Sequence, residues 1–135
     1  RAKAAVNFRI LPGDDIASVT SHAKRVIDDH RIEVRTSGVA VEPSRVSPTT
    51  DSAWSIVQRS IRQSYPDAVV APYLVLGATD SRYFRDLTGN VYRFAALRAD
   101  TSDVSRVHGT NERVSIKAYV EGIRFLARLM RNATQ

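Results

Sequence analysis

Apolar and polar residues alternate at the start of the chain, over residues 3–11. Val6, Phe8 and the apolar residues two positions before and after them point to one face, whereas Asn7 and Arg9 point to the other face. Successive side chains of a strand point to opposite faces, so a period of two predicts a β-strand with one face packed. Asn7 and Arg9 lie on the other face, which is more simply explained as solvated sheet than as a site.

A turn and an amphipathic helix follow this strand. Residues 12–15 read PGDD, a turn in which Asp14 or Asp15 can cap the helix. The apolar residues behind it form one helical stripe, namely Ile16, Val19, Ala23, Val26 and Ile27. Ile32 and Val34 alternate with charged residues and predict a second short strand. Together these elements predict a β-α-β unit.

Residues 37–50 contain two prolines and many small polar residues, and they predict a linker or crossover between two structural units. A helix is predicted from about residue 51 to residue 64, with Thr50 or Asp51 as its cap. Its inner face carries Trp54, Val57 and Ile61.

Residues 68–76 are continuously apolar and rich in valine, a pattern typical of a strand buried on both faces of a parallel sheet. The strand would end at Gly77, and residues 78–80 would form the loop beyond its carboxyl end. Ligands of open α/β sheets bind beyond the carboxyl ends of strands. The sequence therefore predicts a ligand-binding loop here.

Three further elements complete the prediction. They are a short helix over Ser81–Leu87, a strand at about residues 91–94, and a last helix from a Ser115 cap to about Arg131. The apolar stripe of the last helix is expected to be buried, and it comprises Ile116, Tyr119, Val120, Ile123, Leu126, Ala127 and Met130.

Composition narrows the function classes. The chain has 135 residues, 43% of them hydrophobic and 25% charged, as in a globular domain. It has no cysteine, which excludes thiolate and disulfide chemistry and leaves the compartment undecided. Its longest apolar run is too short for a membrane span, so no membrane partner is expected. The chain begins with Arg inside an alternating pattern, which suggests a fragment.

The formal charge of +6 raises the hypothesis of nucleic-acid binding. The arginines are scattered along the chain without a basic run, and several sit beside carboxylates, as in Asp80-Ser81-Arg82. We therefore expect no nucleic-acid partner and favour a basic surface suited to small anionic substrates.

Two other places hold polar residues that core packing does not explain. In the loop after the valine-rich strand, a helix cap would account for Asp80 or Ser81 but gives Arg82 no role. The second place is His108, with Asn111 and Glu112 shortly after it. A single loop histidine is more often a surface residue than a metal ligand. A glutamate near the start of a helix can simply interact favourably with the positive end of the helix dipole.

Three segments in this order resemble the M20 family of metallopeptidases, and within it the carboxypeptidase S branch. They are KAAVNFRILPGD, YLVLGATDSRYFRDLTGNVYRF and VHGTNERVSI. The resemblance implies an α/β fold with an α+β part. Residues 1–38 would be the second half of a ferredoxin-like lid or dimerisation domain, residues 39–50 a linker, and residues 51–135 the C-terminal portion of a phosphorylase/hydrolase-like catalytic domain.

The resemblance also implies a centre with two zinc ions and a glutamate as general base. His108, in the HGTNE motif, matches the last histidine ligand, whereas the other ligands and the base would precede Arg1. Arg9 matches an arginine that contacts substrate from the lid. Thr79 and Arg82 match the loop that holds the substrate carboxylate. Arginine suits that role because its guanidinium can grip a carboxylate with two parallel hydrogen bonds.

The resulting prediction is part of a di-zinc amidohydrolase or carboxypeptidase that cleaves an amide beside a free carboxylate. Its partners would be a small peptide or N-acyl amino acid, the upstream half of the same enzyme and a second copy in a homodimer. The alternative is a non-catalytic structural or dimerisation fragment, because zinc needs three or four protein ligands and this chain supplies one candidate.

Overall fold

The computed structural model describes residues 1–135. Its three longer helices form at the amphipathic segments that the sequence predicts to be helical. The helices are α1 (Ile16–Ile27), α2 (Ser52–Ser64), α3 (Thr101–Val104) and α4 (Ile116–Ala133), with a 3₁₀ helix at Asp80–Phe84. None of the helices combines the length and apolarity needed to cross a bilayer. The chain divides into two units: unit 1 comprises residues 1–46 and 76–89, and unit 2 comprises residues 47–75 and 90–135.

Side-chain caps fix the starts of the three longer helices. The Asp15 carboxylate accepts the backbone N–H of Ser18 at 2.6 Å, and the Ser18 hydroxyl completes a capping box. Asp51 caps α2, and Ser115 caps α4 by accepting the N–H of Ala118 at 3.1 Å. The predicted Ser115 cap is confirmed. Of the two candidate caps at each earlier helix, the structure uses Asp15 rather than Asp14 at α1 and Asp51 rather than Thr50 at α2.

The core of unit 2 lies where α2 packs against α4. Ile61, Tyr65 and Phe125 are buried there, and the partly buried hydrophobic residues around them are Val57, Val70, Ala96 and Leu129. The Phe125 ring stacks on Tyr65 with centroids 6.2 Å apart and lies 5.2 Å from the ring of Phe94. Aromatic burial of this kind dominates the stability of small cores.

Gly122 permits a close approach of α4 to the segment that carries Ala96. A Cβ placed on Gly122 would lie 2.8 Å from the Ala96 carbonyl oxygen. That same carbonyl accepts the Tyr65 hydroxyl at 2.9 Å, so it is fixed from α2 as well. Glycine is therefore required at position 122 by packing rather than by backbone conformation.

The predicted buried stripe of α4 is wrong. Ile116 is 85% exposed and Met130 65% exposed, and most of that stripe is likewise exposed. The buried positions are Ala118, Gly122 and Phe125. The helix has two apolar faces, and the hydrophobic pattern selects the one with larger side chains. The buried face instead combines the small residues Ala118 and Gly122 with the ring of Phe125, and Gly122 lets α4 approach the Ala96 backbone.

The four predicted strands are also absent from this structure. Residues 3–11, 32–34, 68–76 and 91–94 are not strands, and the chain's one β-bridge joins Pro12 and Asp14. A strand satisfies its backbone N–H and C=O groups only by pairing with a neighbouring strand, and these segments do not pair with one another. The predicted α/β fold class is thus confirmed in its helices and not in its sheet. The predicted division into residues 1–38, 39–50 and 51–135 stays a prediction.

Candidate metal and carboxylate-binding residues

His108 lies in a turn of unit 2 between α3 and α4. Its backbone has φ of 61°, in the left-handed region, and its N–H donates to Glu112 Oε2 at 3.2 Å. The residue is exposed, and its imidazole has no hydrogen-bonding partner within the chain. The ring is therefore available to an external partner.

A run of local hydrogen bonds leads from α3 to His108. The Asp100 carboxylate caps α3 by accepting the N–H of Asp103 at 2.9 Å. Its pKa is lowered by a hydrogen bond from the Ser102 side chain and by this cap. Arg106 donates its N–H to the Asp103 carbonyl at 3.0 Å, and Gly109 donates to the Arg106 carbonyl at 2.8 Å. The turn is thus built from neighbours in sequence.

The imidazole of His108 fits one ligand position of a zinc centre. An imidazole is a ligand that zinc prefers, but no three His, Cys, Asp or Glu residues cluster so as to hold a metal ion. The chain by itself therefore does not assemble a metal site around His108.

Thr79 and Arg82 share one turn of unit 1. Thr79 precedes the 3₁₀ helix, its carbonyl accepts the N–H of Arg82 at 3.2 Å, and its hydroxyl is hydrogen-bonded to that of Ser81. The predicted helix Ser81–Leu87 is therefore a shorter and tighter 3₁₀ helix. The residue at its cap is Thr79, which makes no side-chain capping bond.

The Arg82 guanidinium is held by the next side chain in sequence. Arg82 Nη2 donates to the Tyr83 hydroxyl at 2.7 Å, and Arg82 Cζ lies 4.8 Å from the centre of the Tyr83 ring. Arg82 is half-buried and forms no salt bridge. Because a guanidinium has five N–H donors, most of them stay available to a substrate carboxylate.

Arg9 lies in an exposed segment of unit 1 without regular secondary structure, as does Asn7. It also forms no salt bridge. A cleft of about 550 Å³ in the same unit is lined by α1, residues 34–36 and Glu42, and it includes none of the predicted site residues. The structure thus brings Thr79 and Arg82 into one turn, while Arg9 and His108 lie in separate segments.

A comparison with known protein families gives a match over nearly the whole chain. The model of peptidase family M20/M25/M40 matches residues 5–132. The chain belongs to this family.

Relatives of this M20 chain carry two kinds of name. It is 38% identical over 131 residues to "Probable carboxypeptidase S-like 2" of Dictyostelium discoideum, covering 97% of this chain and 25% of that protein. It is 35% identical over 135 residues to the human "N-fatty-acyl-amino acid synthase/hydrolase PM20D1", covering 98% of this chain and 27% of that protein. The chain thus spans about a quarter of the length of these relatives. No solved structure matches it.

Two residues of the M20 chain gain a role that the sequence did not assign. Glu112 has a carboxylate that accepts the backbone N–H of His108, and Tyr83 holds the Arg82 guanidinium. The sequence signal for the role of Glu112 was its place four residues after His108 in the HGTNE motif, with a glycine and an asparagine between the two. Tyr83 gave no signal beyond its place beside Arg82.

The shortest salt bridge of the M20 chain, between Arg98 and Asp67 at 2.6 Å, lies in unit 2. Arg98 grips Asp67 through two hydrogen bonds of 2.8 and 2.6 Å, and its Nε lies 3.4 Å from Glu121. The guanidinium also covers the Tyr65 ring at 5.1 Å. The Arg98 hydrogen bonds lower the pKa of Asp67 to about 2. The cluster joins the segment after α2 to α4.

Proposed function

We propose that this chain is part of an M20 amidohydrolase or carboxypeptidase that hydrolyses an amide or peptide bond beside a free carboxylate. One observation carries the proposal, namely the shared chemistry of its two groups of relatives. The names of both groups, carboxypeptidase and N-fatty-acyl-amino acid hydrolase, describe amide bonds next to a free carboxylate. Small peptides and N-acyl amino acids are therefore the proposed substrates.

In this proposal His108 donates a neutral imidazole to a di-zinc centre, and the rest of the enzyme supplies the other ligands and a glutamate base. Zinc, when bound, polarises the scissile carbonyl and lowers the pKa of the attacking water. The exposed ring of His108, which has no partner in this chain, supports this role.

Arg82 is proposed to bind the substrate carboxylate through two parallel hydrogen bonds, with Thr79 shaping the loop around it. Its support is a half-buried guanidinium that forms no salt bridge and is oriented by Tyr83. Arg9 is proposed to reach the same substrate from the lid, so that bound substrate joins lid and catalytic domain and favours closure.

The finer architecture belongs to the same proposal. Residues 1–38 form half of a ferredoxin-like lid that mediates homodimerisation, residues 39–50 a linker, and residues 51–135 the end of the catalytic domain. The valine-rich residues 68–76 and residues 91–94 become strands when the sheet of the complete enzyme supplies neighbours. The apolar exposure of residues 68–76 supports this, since Val69 is 94% exposed and Tyr73 92% exposed here.

The test is to replace Arg82 by alanine in the complete enzyme. For a substrate with a free carboxylate we expect kcat/KM to fall on the order of 10- to 100-fold, the effect of losing hydrogen bonds to a charged group. The neutral amide of the same substrate should be almost unaffected, and the zinc content should not change. The matched control is Arg85→Ala, on an exposed arginine 3.8 Å from Asp86. Normal kinetics in Arg82→Ala would refute the role of Arg82.

One observation favours the alternative of a non-catalytic structural or dimerisation piece, because the chain by itself clusters no set of metal ligands. Zinc titration distinguishes the two. The isolated chain should bind zinc weakly or not at all, whereas the complete protein should bind two equivalents if the catalytic proposal is right. A complete protein that binds no zinc would favour the structural alternative.

A further inference from the structure

The left-handed backbone conformation of His108 needs an explanation. Three residues other than glycine have positive φ: Asp28, His108 and Asn111. Asp28 is the C-cap of α1, where this conformation is common. The other two lie within four residues of each other, outside any helix. Such conformations are unfavourable for residues with a Cβ, so the surroundings must stabilise them.

Glu112 is the side chain that stabilises this turn. Its Oε2 accepts the backbone N–H of His108, four residues earlier in the chain, at 3.2 Å. Gly109 occupies the crowded inner position, where an added Cβ would lie 3.2 Å from the Arg106 carbonyl oxygen. A hydrogen bond to a carboxylate is stronger than one between neutral groups.

We propose that Glu112 is a positioning residue for His108, an inference that rests on the proposed role of His108 as a zinc ligand. Holding the N–H of His108 fixes the direction of its Cα–Cβ bond and therefore the region that the imidazole can reach. The ring itself has no partner in the chain, so its direction is restrained through the backbone, and Glu112 supplies the side-chain hydrogen bond to that backbone. Removing a group that orients a metal ligand without touching the metal typically lowers metal affinity by about 10- to 100-fold.

The competing role for Glu112 is that of a direct zinc ligand. The two roles differ in what they require of the side chain. Positioning requires an oxygen acceptor at the reach of a glutamate, which glutamine also provides, since its amide carbonyl can accept the same N–H. A direct ligand requires the carboxylate charge, which aspartate keeps and glutamine lacks.

The experiment compares Glu112→Gln, Glu112→Asp, Glu112→Ala and His108→Ala in the complete enzyme. Zinc retained is measured by elemental analysis after dialysis against increasing chelator concentrations. Hydrogen exchange reports on the His108 amide. Glu33→Ala is the control, since Glu33 is an exposed acid of unit 1 that contacts Arg35 at 3.8 Å.

We expect Glu33→Ala to retain zinc like the wild type, and Glu112→Gln to come closer to the wild type than the other two Glu112 variants, because its amide carbonyl still accepts the N–H of His108 in a weaker hydrogen bond. Glu112→Asp and Glu112→Ala should lose zinc at about 10- to 100-fold lower chelator concentration, with faster exchange at the His108 amide. The glutamine and aspartate pair decides the question even if the alanine variant does not fold.

The inference is overturned if glutamine loses zinc while aspartate keeps it, which would make Glu112 a ligand, or if all three Glu112 variants retain zinc. Failure of the proposed function gives a different result. If His108→Ala keeps full zinc, the ligand role of His108 is refuted, whatever the Glu112 variants do.

Discussion

The α2–α4 contact and the turn that carries His108 are stabilised by different kinds of interaction. Phe125 is 2% exposed and Ile61 6% exposed, and both are held by side chains distant in sequence. His108 is exposed, and the turn is held by hydrogen bonds between residues three or four apart. Thr79 and Arg82 follow the second pattern. Stability and candidate chemistry therefore reside in different parts of the chain.

The largest expected effect is the loss of the Phe125 ring. Phe125→Ala removes a buried ring that contacts both Tyr65 and Phe94, and should lower the free energy of unfolding by about 3–5 kcal/mol. Met130→Ala, on the exposed face of α4, should change it by at most about 0.5 kcal/mol. Urea unfolding of the chain followed by circular dichroism measures both. Equal losses would mean that α4 is not packed through the Phe125 face.

A smaller effect is expected at Gly122, where two contributions oppose each other. Alanine improves helix propensity by about 1 kcal/mol, but its Cβ would clash with the Ala96 backbone, and overpacking costs about 1–3 kcal/mol. We expect a net destabilisation on the order of 1 kcal/mol by the same urea assay. Arg124→Ala, on an exposed position of the same helix, is the control. A more stable Gly122→Ala variant would contradict the close approach of α4 to Ala96.

The smallest effect should come from the Asp67–Arg98 pair, because both side chains are partly exposed. The pKa of Asp67 is about 2 in the folded chain, below its ordinary value of 3.8, so the pair stabilises the fold above about pH 4. That contribution is lost as the pH falls from about 4 to 2. The Tm of the wild type should therefore fall more steeply across this window than that of Asp67→Asn.

Asp86→Asn serves as the control, because Asp86 is an exposed carboxylate 3.8 Å from Arg85. It should keep the steep pH dependence of the wild type. If Asp67→Asn is as sensitive to pH as the wild type, the contact between Asp67 and Arg98 does not contribute to stability.

The sequence predicted the helices better than the packing between them. Caps are local, so Ser115 could be recognised from its neighbours alone, and the cap of α2 could be narrowed to Thr50 or Asp51. The buried face of α4 could not, because it depends on contacts with residues distant in sequence, such as the Ala96 backbone that lies against Gly122. The strands depend on neighbours even more strongly, since an apolar segment such as residues 68–76 forms a strand only when another strand pairs with it.

Motifs identified the candidate site, while the contacts that support it could not be predicted. His108 and Arg82 were recognised in HGTNE and TDSR, and their roles stay predictions. The contact of Glu112 with the His108 backbone depends on left-handed conformations at His108 and Asn111, which the sequence pattern does not reveal. Distances between His108, Arg82 and Arg9 depend on how separate segments come together, and local patterns carry no information on that.

The most direct test of the central claim is the zinc content of the complete protein, with wild type compared to His108→Ala after exhaustive dialysis. The wild type should retain two equivalents, and the variant should lose at least one while its far-ultraviolet circular dichroism stays unchanged. Equal zinc contents in the two proteins would contradict the claim that this chain supplies a ligand to the metal centre.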